Sequence, residues 1–333
     1  MVTLAVDAMG GDHGPSVVVP AVLRTLDKLP DLTVTLFGDE ALIRSYLPKS
    51  ELPRLHLVHT SEKIEMDEPV AHALRFKKKS SMRLAIESVK EGQSQAAVSA
   101  GNTGALMAIA RFVLKTLPGV DRPAIIYAMP TQKPPAAVYV LDLGANVDCN
   151  AEELSQFARM GSAYVGALLG RAPRVSLLNI GQEEIKGNAV IKQAHLLLQE
   201  VPNLQYQGFI EANAVFAHEA DVVVCDGFVG NVLLKTAEGV AKMLLTALKR
   251  SLTSSWWMKL RALTVLGPLK AMKEDYDPNQ HNGAIILGLT HLLLKSHGNA
   301  SVEAYQVALE KAYEAVQKNV TQLIRDNFDT GVA

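Results

Sequence analysis

The sequence predicts an α/β fold: a largely parallel, doubly wound sheet with helices on both faces, plus one protruding helical segment. Three observations support this prediction. Short apolar runs rich in β-branched residues recur along the 333 residues, stretches with helical periodicity separate them, and most runs end at a small polar cluster that contains Gly or Asn. Because strands that alternate with helices form parallel sheets covered on both faces, we expect one two-lobed domain over residues 1–333.

The composition limits the classes of protein to which the chain can belong. Hydrophobic residues make up 48% of it, and the net charge of −1 gives no general attraction to nucleic acid. Cys149 and Cys225 lack the number and spacing of a disulfide framework or a zinc site. The first residues do not read as a signal peptide, and no apolar run reaches membrane-spanning length. We therefore expect a cytoplasmic protein.

The first strand is expected at residues 3–6, followed by a glycine-rich turn and a helix that begins near Pro15. Gly10, Gly11 and Gly14 have the spacing GGxxG and not the GxGxxG of a dinucleotide-binding turn. Asp12 and His13 lie in this turn and are candidates for a site or for capping the helix.

A nicotinamide-binding alternative stays open at the second predicted strand. That strand, at residues 34–37, ends at Gly38-Asp39, and an acid at this place could meet a ribose hydroxyl.

The central stretch, residues 97–106, combines the end of a strand, a small polar turn and the start of a helix. Gly101 and Gly104 allow a ligand to approach the backbone, and Asn102 or Thr103 can cap the first helical turn. The unpaired amides of that turn and the helix dipole suit an anion. We interpret the turn, with Ser99 at the strand end, as a phosphate-binding loop; an ordinary capped turn is the alternative.

A basic run precedes the helix that ends near residue 92. It contains Arg75, Lys77, Lys78, Lys79 and Arg83, and it is either a solvated face or a docking surface for an anionic partner.

The remaining strands are expected at residues 55–58, 124–127, 137–141, 175–178, 206–210 and 222–224, with helices at 151–169, 228–249 and from Ser301 to about residue 328. In parallel sheets, ligands bind outside the carboxyl ends of the strands. The polar clusters that follow the strands should therefore meet at one cleft; they begin at Asp7, Ser99, Asp142, Asn179, Glu211 and Asp226. His297, after the last apolar run, could face the same cleft.

Both tryptophans lie in an amphipathic segment at about residues 251–272, which we expect to protrude. Trp256, Trp257, Leu260 and Leu263 give it an apolar face, with Lys259 and Arg261 between them. It either packs against the core or a second subunit, or lies in a membrane interface.

Taken together, several motifs resemble those of the bacterial phosphate acyltransferase family, PlsX, along essentially the whole chain. They are Asp7-Ala8-Met9-Gly10-Gly11-Asp12, Ser99-Ala100-Gly101-Asn102-Thr103-Gly104, Asn179-Ile180-Gly181, Lys186-Gly187-Asn188 and Asp226-Gly227-Phe228-Val229-Gly230-Asn231. The chain departs from the family at Gln182, at Ala189 and at Thr290-His291.

The resemblance implies transfer of a fatty acyl group from acyl carrier protein to inorganic phosphate, which gives acyl phosphate for phospholipid synthesis. It also implies a fold similar to phosphotransacetylases and isopropylmalate dehydrogenases. The implied partners are a second subunit in a homodimer, the inner face of the membrane, which the chain contacts peripherally, and a membrane glycerol-phosphate acyltransferase.

Phosphate is itself the nucleophile in this reaction, so neither a nucleophilic side chain nor a metal or cofactor is required. We expect Ser99, Asn102 and Thr103 to hold phosphate. Lys186, Asn231 or Lys235 would supply charge or hydrogen bonds to phosphate or to the oxyanion. Asp12, His13 and His297 are further cleft residues.

Two other functions remain open at this point. One is an NAD-dependent dehydrogenase of related fold. The other is a non-catalytic, membrane-associated scaffold that binds an acidic carrier protein through residues 77–79.

Overall fold

The computed structural model describes residues 1–50, 52–133, 136–253, 267 and 282–329. The strands found there are β1 (Val2–Asp7), β2 (Leu32–Gly38), β3 (Leu55–His59), β4 (Ala96–Ser99), β5 (Ala124–Pro130), β6 (Ala137–Leu141), β7 (Val175–Asn179), β8 (Tyr206–Glu211), β9 (Val222–Val224), β10 (Ala284–Leu287) and β11 (Leu292–Lys295). They form one sheet in the order β3-β2-β1-β4-β11-β10-β5-β6-β9-β7-β8.

The helices of the described residues are α1 (Pro15–Lys28), α2 (Glu40–Arg44), α3 (Val70–Phe76), α4 (Ser81–Lys90), α5 (Thr103–Val113), α6 (Ala151–Leu169), α7 (Ala189–Gln199), α8 (Ala212–Val215), α9 (Gly227–Leu252), α10 (Val302–Gln317) and α11 (Val320–Asp329). Their alternation with the strands confirms the predicted α/β class.

The sheet is largely parallel, as predicted, but it consists of two halves that run in opposite directions. Within the described strands, antiparallel pairing occurs between β5 and β6 and between β10 and its neighbours β5 and β11. β1, β4 and β11 are parallel on one side of this reversal, and β6, β9 and β7 are parallel on the other.

This reversal determines how the polar clusters meet, because a sheet with all strands parallel would place them together at one edge. The registers instead bring the carboxyl ends of the two halves to the same level at the centre. One residue from each of seven neighbouring strands lies in a single row across the sheet, and in β1, β4, β11, β6 and β9 that residue is at or next to the carboxyl end. The row consists of Val6, Val98, Leu294, Ile285, Ile126, Leu141 and Val224. Clusters that begin at Asp7 and Ser99 therefore face the clusters that begin at Asp142 and Asp226 across the middle of the sheet.

Alternate residues of each strand enter different hydrophobic clusters on the two faces. On β1, for example, Leu4 and Val6 belong to a cluster with α1, α6 and α10, whereas Ala5 belongs to a cluster with α4 and α5. Partly buried residues of α9, among them Leu233 and Ala237, pack against the second cluster. The candidate site described below lies on this second face.

Proline and capping residues in the sequence correctly predicted the starts of three helices. Pro15 stands at the start of α1, and the side chains of Asn102 and Ser301 cap α5 and α10. The single final helix predicted from Ser301 to about residue 328 is wrong, because α10 and α11 are separate. Asn319 between them has a φ of 51°, a left-handed conformation that interrupts the helical hydrogen bonds.

No helix in the described part of the chain has the length and apolar character needed to cross a membrane. Of the segment at about 251–272, the structure describes only residues 251–253 and 267, so the predicted protrusion and the residues Trp256, Trp257, Leu260 and Leu263 lie outside the described residues.

The first turn of α9 touches the end of β6 so closely that no side chain fits between them. A Cβ atom at Gly230 would overlap the carbonyl oxygen of Asp142 and lie 3.0 Å from Cys225 Sγ. Gly239, nine residues further along α9, has no neighbouring atom within 4 Å of a Cβ position. Substitution of Gly230 by alanine therefore tests the close contact with β6, whereas the same substitution at Gly239 tests helix propensity alone.

We predict that Gly230→Ala lowers the free energy of unfolding by at least about 2 kcal/mol, because the added methyl group forces α9 away from β6. Gly239→Ala should raise it by about 0.5–1 kcal/mol, since alanine loses less backbone entropy in a helix. Urea denaturation of both variants tests this, and equal effects would contradict the close approach.

Candidate active site

The carboxyl ends of β1, β4 and β11 place three polar side chains next to one another on the second face. Ser99 is in register with Lys295 on the neighbouring strand. Asp7 lies beside Ser99 on the other side, because the residues that precede them, Val6 and Val98, are in register. The three side chains therefore lie side by side where the sheet meets the loops.

Asp7 is fully buried and holds these loops together. Its Oδ2 accepts a hydrogen bond of 2.6 Å from the Ser99 hydroxyl, and its Oδ1 accepts one of 2.6 Å from the Ser81 hydroxyl at the start of α4. The backbone N–H of Met9 also donates to Oδ1, at 3.2 Å. Burial raises the pKa of this carboxyl above its usual value, against the opposite influence of the two hydroxyls.

Ser99 is engaged inside the protein and does not line the cavity described below. Besides donating to Asp7, its oxygen accepts a hydrogen bond of 3.0 Å from the N–H of Gly101. It thereby shapes the turn from within, and its direct contact with phosphate stays a prediction.

Two glycine turns pack against each other above Asp7. A Cβ atom at Gly10 would lie 2.6 Å from Asp7 Oδ2 and 2.7 Å from the nitrogen of Gly101. The third loop joins them because the N–H of Asp12 donates to the carbonyl of Gly298 at 2.8 Å. These contacts place the exposed Asp12 beside the loops that follow β4 and β11, whereas His13 lies exposed at the start of α1.

Asn102 caps α5 and also ties down the loop in front of it. Its Oδ1 accepts a hydrogen bond of 3.0 Å from the N–H of Ala105, which confirms the capping prediction. Its Nδ2 donates to the carbonyl oxygens of Met66 and Glu68, at 2.9 and 3.1 Å. The side chain therefore sets the position of the α5 N-terminus relative to residues 66–68.

A cavity of about 150 Å³ opens in front of the α5 N-terminus. It lies between the first turns of α5 and α9 and the end of β11. Its lining brings together four of the predicted site residues, which are distant in the sequence. The lining residues are Thr103, Ile125, Tyr127, Leu143, Asn231, Leu234, Lys235, Ala284, Lys295, Ser296 and His297.

The α9 side of the cavity is held by a second buried aspartate. Asp142 Oδ2 accepts hydrogen bonds from the N–H and the amide of Asn146, at 2.6 and 3.0 Å, and Oδ1 accepts one from the N–H of Ile125 at 2.9 Å. The carbonyl of Asn146 in turn accepts a hydrogen bond of 2.7 Å from Gly227, the first residue of α9. Burial raises the pKa of Asp142 to about 6.

Lys295, which ends β11 and lines the cavity, is not among the site residues predicted from the sequence. Its Nζ donates to the carbonyl oxygen of Ala100 at 3.2 Å and to that of Ser296. Burial lowers its pKa to about 8, although Asp7 and Asp12 act to raise it. The signal in the sequence is a lysine directly after three leucines, which by itself also fits a solvated strand end.

His297 contributes a neutral ring to the same wall. Burial, together with the positive charge of Lys295, lowers its pKa below the usual value, which favours the neutral imidazole. Its ring stands edge-on to Tyr127, with ring centroids 5.8 Å apart.

The two other lysines predicted for the site differ in position. Lys235 lines it, but its Nζ also forms an ion pair of 2.8 Å with Glu238. Lys186 is exposed in the loop after β7 and does not line the cavity, and its backbone N–H donates to the carbonyl of Glu183 at 3.0 Å. The roles predicted for Lys186, Asn231 and Lys235 stay predictions.

Neither cysteine has the environment of a nucleophile. Burial raises the pKa of Cys149 to about 12 and also raises that of Cys225, and nearby carboxylates act in the same direction. Among the described residues, no group of three or more His, Cys, Asp or Glu side chains is arranged to hold a metal ion.

The basic run lies on the surface around α3 and the turn that follows. Arg75, Lys78 and Lys79 are exposed, whereas Lys77 is half-buried, with its Nζ 4.0 Å from Glu68 Oε1. Arg83, in α4, is also half-buried and pairs with Glu87, so the exposed charge of the run comes from Arg75, Lys78 and Lys79.

Comparison with known proteins places the chain among acyl-transferring enzymes. Residues 2–323 match the family described as "Fatty acid synthesis protein". The chain is also 52% identical over 329 residues to a phosphate acyltransferase of Coxiella burnetii, with 97% of this chain and 96% of the relative covered.

Solved structures share its fold at low sequence identity. A phosphotransacetylase from Streptococcus pyogenes superposes with a TM-score of 0.65 at 17% identity, over 95% of this chain and 94% of the other. A 4-hydroxythreonine-4-phosphate dehydrogenase from Klebsiella pneumoniae gives a TM-score of 0.56 at 13% identity, over 95% and 99%. These similarities confirm the expected relation of the fold to phosphotransacetylases and dehydrogenases.

We predict that Asn102→Ala lowers the free energy of unfolding by about 2–3 kcal/mol, because the helix loses its cap and two carbonyl oxygens lose a donor. Asn102→Ser should cost about half as much, since serine still caps the helix but cannot reach residues 66–68. Urea denaturation gives the energies, and hydrogen exchange at the Ala105 amide reports the cap. The interpretation is wrong if serine exposes that amide as much as alanine does.

Proposed function

Because this chain belongs to the family of bacterial phosphate acyltransferases described as fatty acid synthesis proteins, we propose that its acyl donor is acyl carrier protein and its acceptor inorganic phosphate. The chain is an acyltransferase that forms acyl phosphate for phospholipid synthesis. The observation that carries the proposal for the site is the cavity in front of the α5 N-terminus, which Thr103, Asn231 and two lysines line.

The end of α5 supplies what a phosphate dianion needs. The unpaired amides of a first helical turn bind anions, and the helix dipole adds partial positive charge at the same place. Ser99, Gly101, Asn102, Thr103 and Gly104 build this terminus, so in our proposal the backbone amides make the contacts and the side chains of Ser99 and Asn102 keep the loop in shape.

The reaction follows from positioning the two substrates. A phosphate oxygen attacks the thioester carbonyl carbon, a C–O bond forms, and the C–S bond breaks as the tetrahedral intermediate collapses. The leaving thiol has a pKa of about 8.5, so it departs as a thiolate with little help from an acid. Asn231 and Lys235, which line the cavity on the side of α9, are placed to stabilise the oxyanion.

The raised pKa values of Cys149 and Cys225 support direct transfer without an acyl-enzyme intermediate. In this proposal Lys186, Asp12 and His13 act from the rim of the cleft and His297 from its wall. No observation favours the dehydrogenase or the non-catalytic scaffold over the acyltransferase.

Arg75, Lys78 and Lys79 form the surface that we propose for docking the carrier protein. Acyl carrier proteins are acidic, and three exposed cations close to the Met66–Glu68 loop would steer such a partner toward the cavity. Asn102 connects the same loop to the α5 N-terminus.

We also propose a homodimer that contacts the membrane peripherally at its inner face, together with a membrane glycerol-phosphate acyltransferase as partner. Exposed apolar side chains on α9 support a partner surface, among them Val240, Met243 and Leu244. The membrane contact through Trp256, Trp257, Leu260 and Leu263 stays a prediction, because these residues lie outside the described part of the chain.

We predict that the purified protein, given fatty acyl carrier protein and ³²P-labelled phosphate, forms labelled acyl phosphate and releases one carrier thiol for each acyl group transferred. Without phosphate, thiol release should stop. Thin-layer chromatography and thiol titration measure the two products. Release of free fatty acid with no labelled acyl phosphate would contradict phosphate as the acceptor.

We predict that the double variant Arg75→Glu/Lys78→Glu lowers kcat/KM for the acyl carrier protein by about tenfold at low ionic strength, because the carrier is no longer attracted. The matched control Lys49→Glu/Lys90→Glu changes two exposed lysines elsewhere by the same charge and should have little effect. Rates are measured from low salt to 0.5 M, where the difference should vanish through screening. Equal loss in both variants would refute a local docking surface.

A further inference from the structure

Lys295 occupies the only position on β11 that lies both in the cavity wall and beside the phosphate-binding loop. It stands in register with Ser99, the residue that begins that loop, and its Nζ lies 3.2 Å from the carbonyl oxygen of the next residue, Ala100. The cavity that it lines also contains Thr103, the first residue of α5. We infer that Lys295 is a catalytic residue whose ammonium group contacts the bound phosphate, an inference that rests on the proposed function for its substrate.

The hydrogen-bonding capacity of the ammonium group supports this contact. A lysine ammonium has three donors. Two of them are directed to the carbonyl oxygens of Ala100 and Ser296, which fixes the amine at the edge of the cavity. The remaining donor can serve a ligand, and a phosphate oxygen in front of α5 is the anion that the adjacent helix terminus also favours.

The other lysines of the candidate site are less suited to this contact. Lys235 is exposed and shares its charge with Glu238 at 2.8 Å, and Lys186 does not line the cavity. A partly buried ammonium is screened less by water than an exposed one, so its attraction for a dianion is stronger. Lys295 therefore provides positive charge where the nucleophile must be held against the thioester.

The protonation of Lys295 is coupled to phosphate binding. The charged and titratable groups around it are Asp7, Asp12, Lys235 and His297, and burial has the largest effect, lowering its pKa to about 8. A bound dianion favours the ammonium form, so phosphate should raise this pKa.

Lys311 offers a matched control. It is also partly buried, and burial lowers its pKa to about 8 as well. It projects from α10 into a different cavity, behind the sheet, that is lined by Ile126, Tyr139 and Glu314 among others. A variant at Lys311 removes a comparable buried cation and leaves every residue that lines the candidate site unchanged, although the Lys311 Nζ lies 6.0 Å from the ring centroid of Tyr127 in its wall.

The first experiment compares Lys295→Met, Lys295→Arg and Lys311→Met in steady-state assays. For Lys295→Met we expect the KM for phosphate to rise about 10- to 100-fold, the size of a lost charge-assisted hydrogen bond, with the KM for the acyl donor changed less than about threefold. Lys295→Arg keeps the charge and should recover part of the affinity, and Lys311→Met should resemble the wild type. An unchanged phosphate KM in Lys295→Met, or an equal rise in Lys311→Met, overturns the inference.

The second experiment needs neither an active enzyme nor a variant at Lys295. Protein with ¹³C at lysine Cε is titrated by NMR with and without inorganic phosphate. Two signals are expected to titrate near pH 8, and Lys311→Met identifies which of them belongs to Lys295. Phosphate should raise the pKa of that signal and leave the Lys311 signal unmoved. If phosphate leaves both unmoved at concentrations that saturate the enzyme, the inference is overturned even where Lys295→Met fails to fold.

The two experiments keep the failure of the inference apart from that of the proposed function. A Lys295 signal that responds to phosphate in a protein that forms no acyl phosphate supports the inference and refutes the proposed function. If the protein forms acyl phosphate but the KM for phosphate is unchanged in Lys295→Met, the proposed function is supported and the inference is refuted.

Discussion

The buried carboxylate of Asp7 is the interaction on which the candidate site depends. Two hydroxyls and one backbone amide direct hydrogen bonds to it, and they come from the loop after β1, the start of α4 and the end of β4. A buried carboxylate must be satisfied by donors, so these segments cannot move apart without leaving it unpaired. The glycine turns at Gly10 and Gly101 can pack this closely only because neither carries a side chain.

Asp142 fixes the loop in front of α9, as Asp7 fixes the loop in front of α5. It directly follows β6, in the half of the sheet that runs in the opposite direction. Its hydrogen bonds fix Asn146, whose carbonyl accepts a hydrogen bond from the first residue of α9. The two helices that begin beside these aspartates supply facing walls of one cavity. The reversal at β10 and β5 is the reason that their N-termini meet at the centre of the sheet, since it brings the carboxyl ends of both halves to one level.

This arrangement suits a reaction in which the acceptor is the nucleophile. The cavity presents helix amides, an asparagine and amines, and the thiols nearby have raised pKa values that keep them protonated. Catalysis in such a site comes from holding phosphate against the thioester and from stabilising charge at the carbonyl oxygen. The partly buried Lys295 adds positive charge to this site, whereas the neutral ring of His297 adds none.

The sequence by itself determined the features that depend on neighbouring residues. Strand and helix alternation predicted the α/β class, Asn102 and Ser301 marked helix starts through side chains that bond amides three residues away, and motifs spread over the whole chain indicated the family. Capping and periodicity are local, so they are legible without the fold.

Only the tertiary structure decided which residues face one another. The Ser99 hydroxyl, predicted to hold phosphate, bonds Asp7, 92 residues away in the chain, and the reversal of the sheet depends on β10 pairing with β5, which precedes it by more than a hundred residues. Lys295 in the sequence is a lysine after an apolar run, equally suited to solvent. Its place in the cavity follows from the pairing of β11 with β4, and the burial that lowers its pKa comes from distant segments packing around it. Such contacts have no local signature, because the residues that make them are brought together by the folding of the whole sheet.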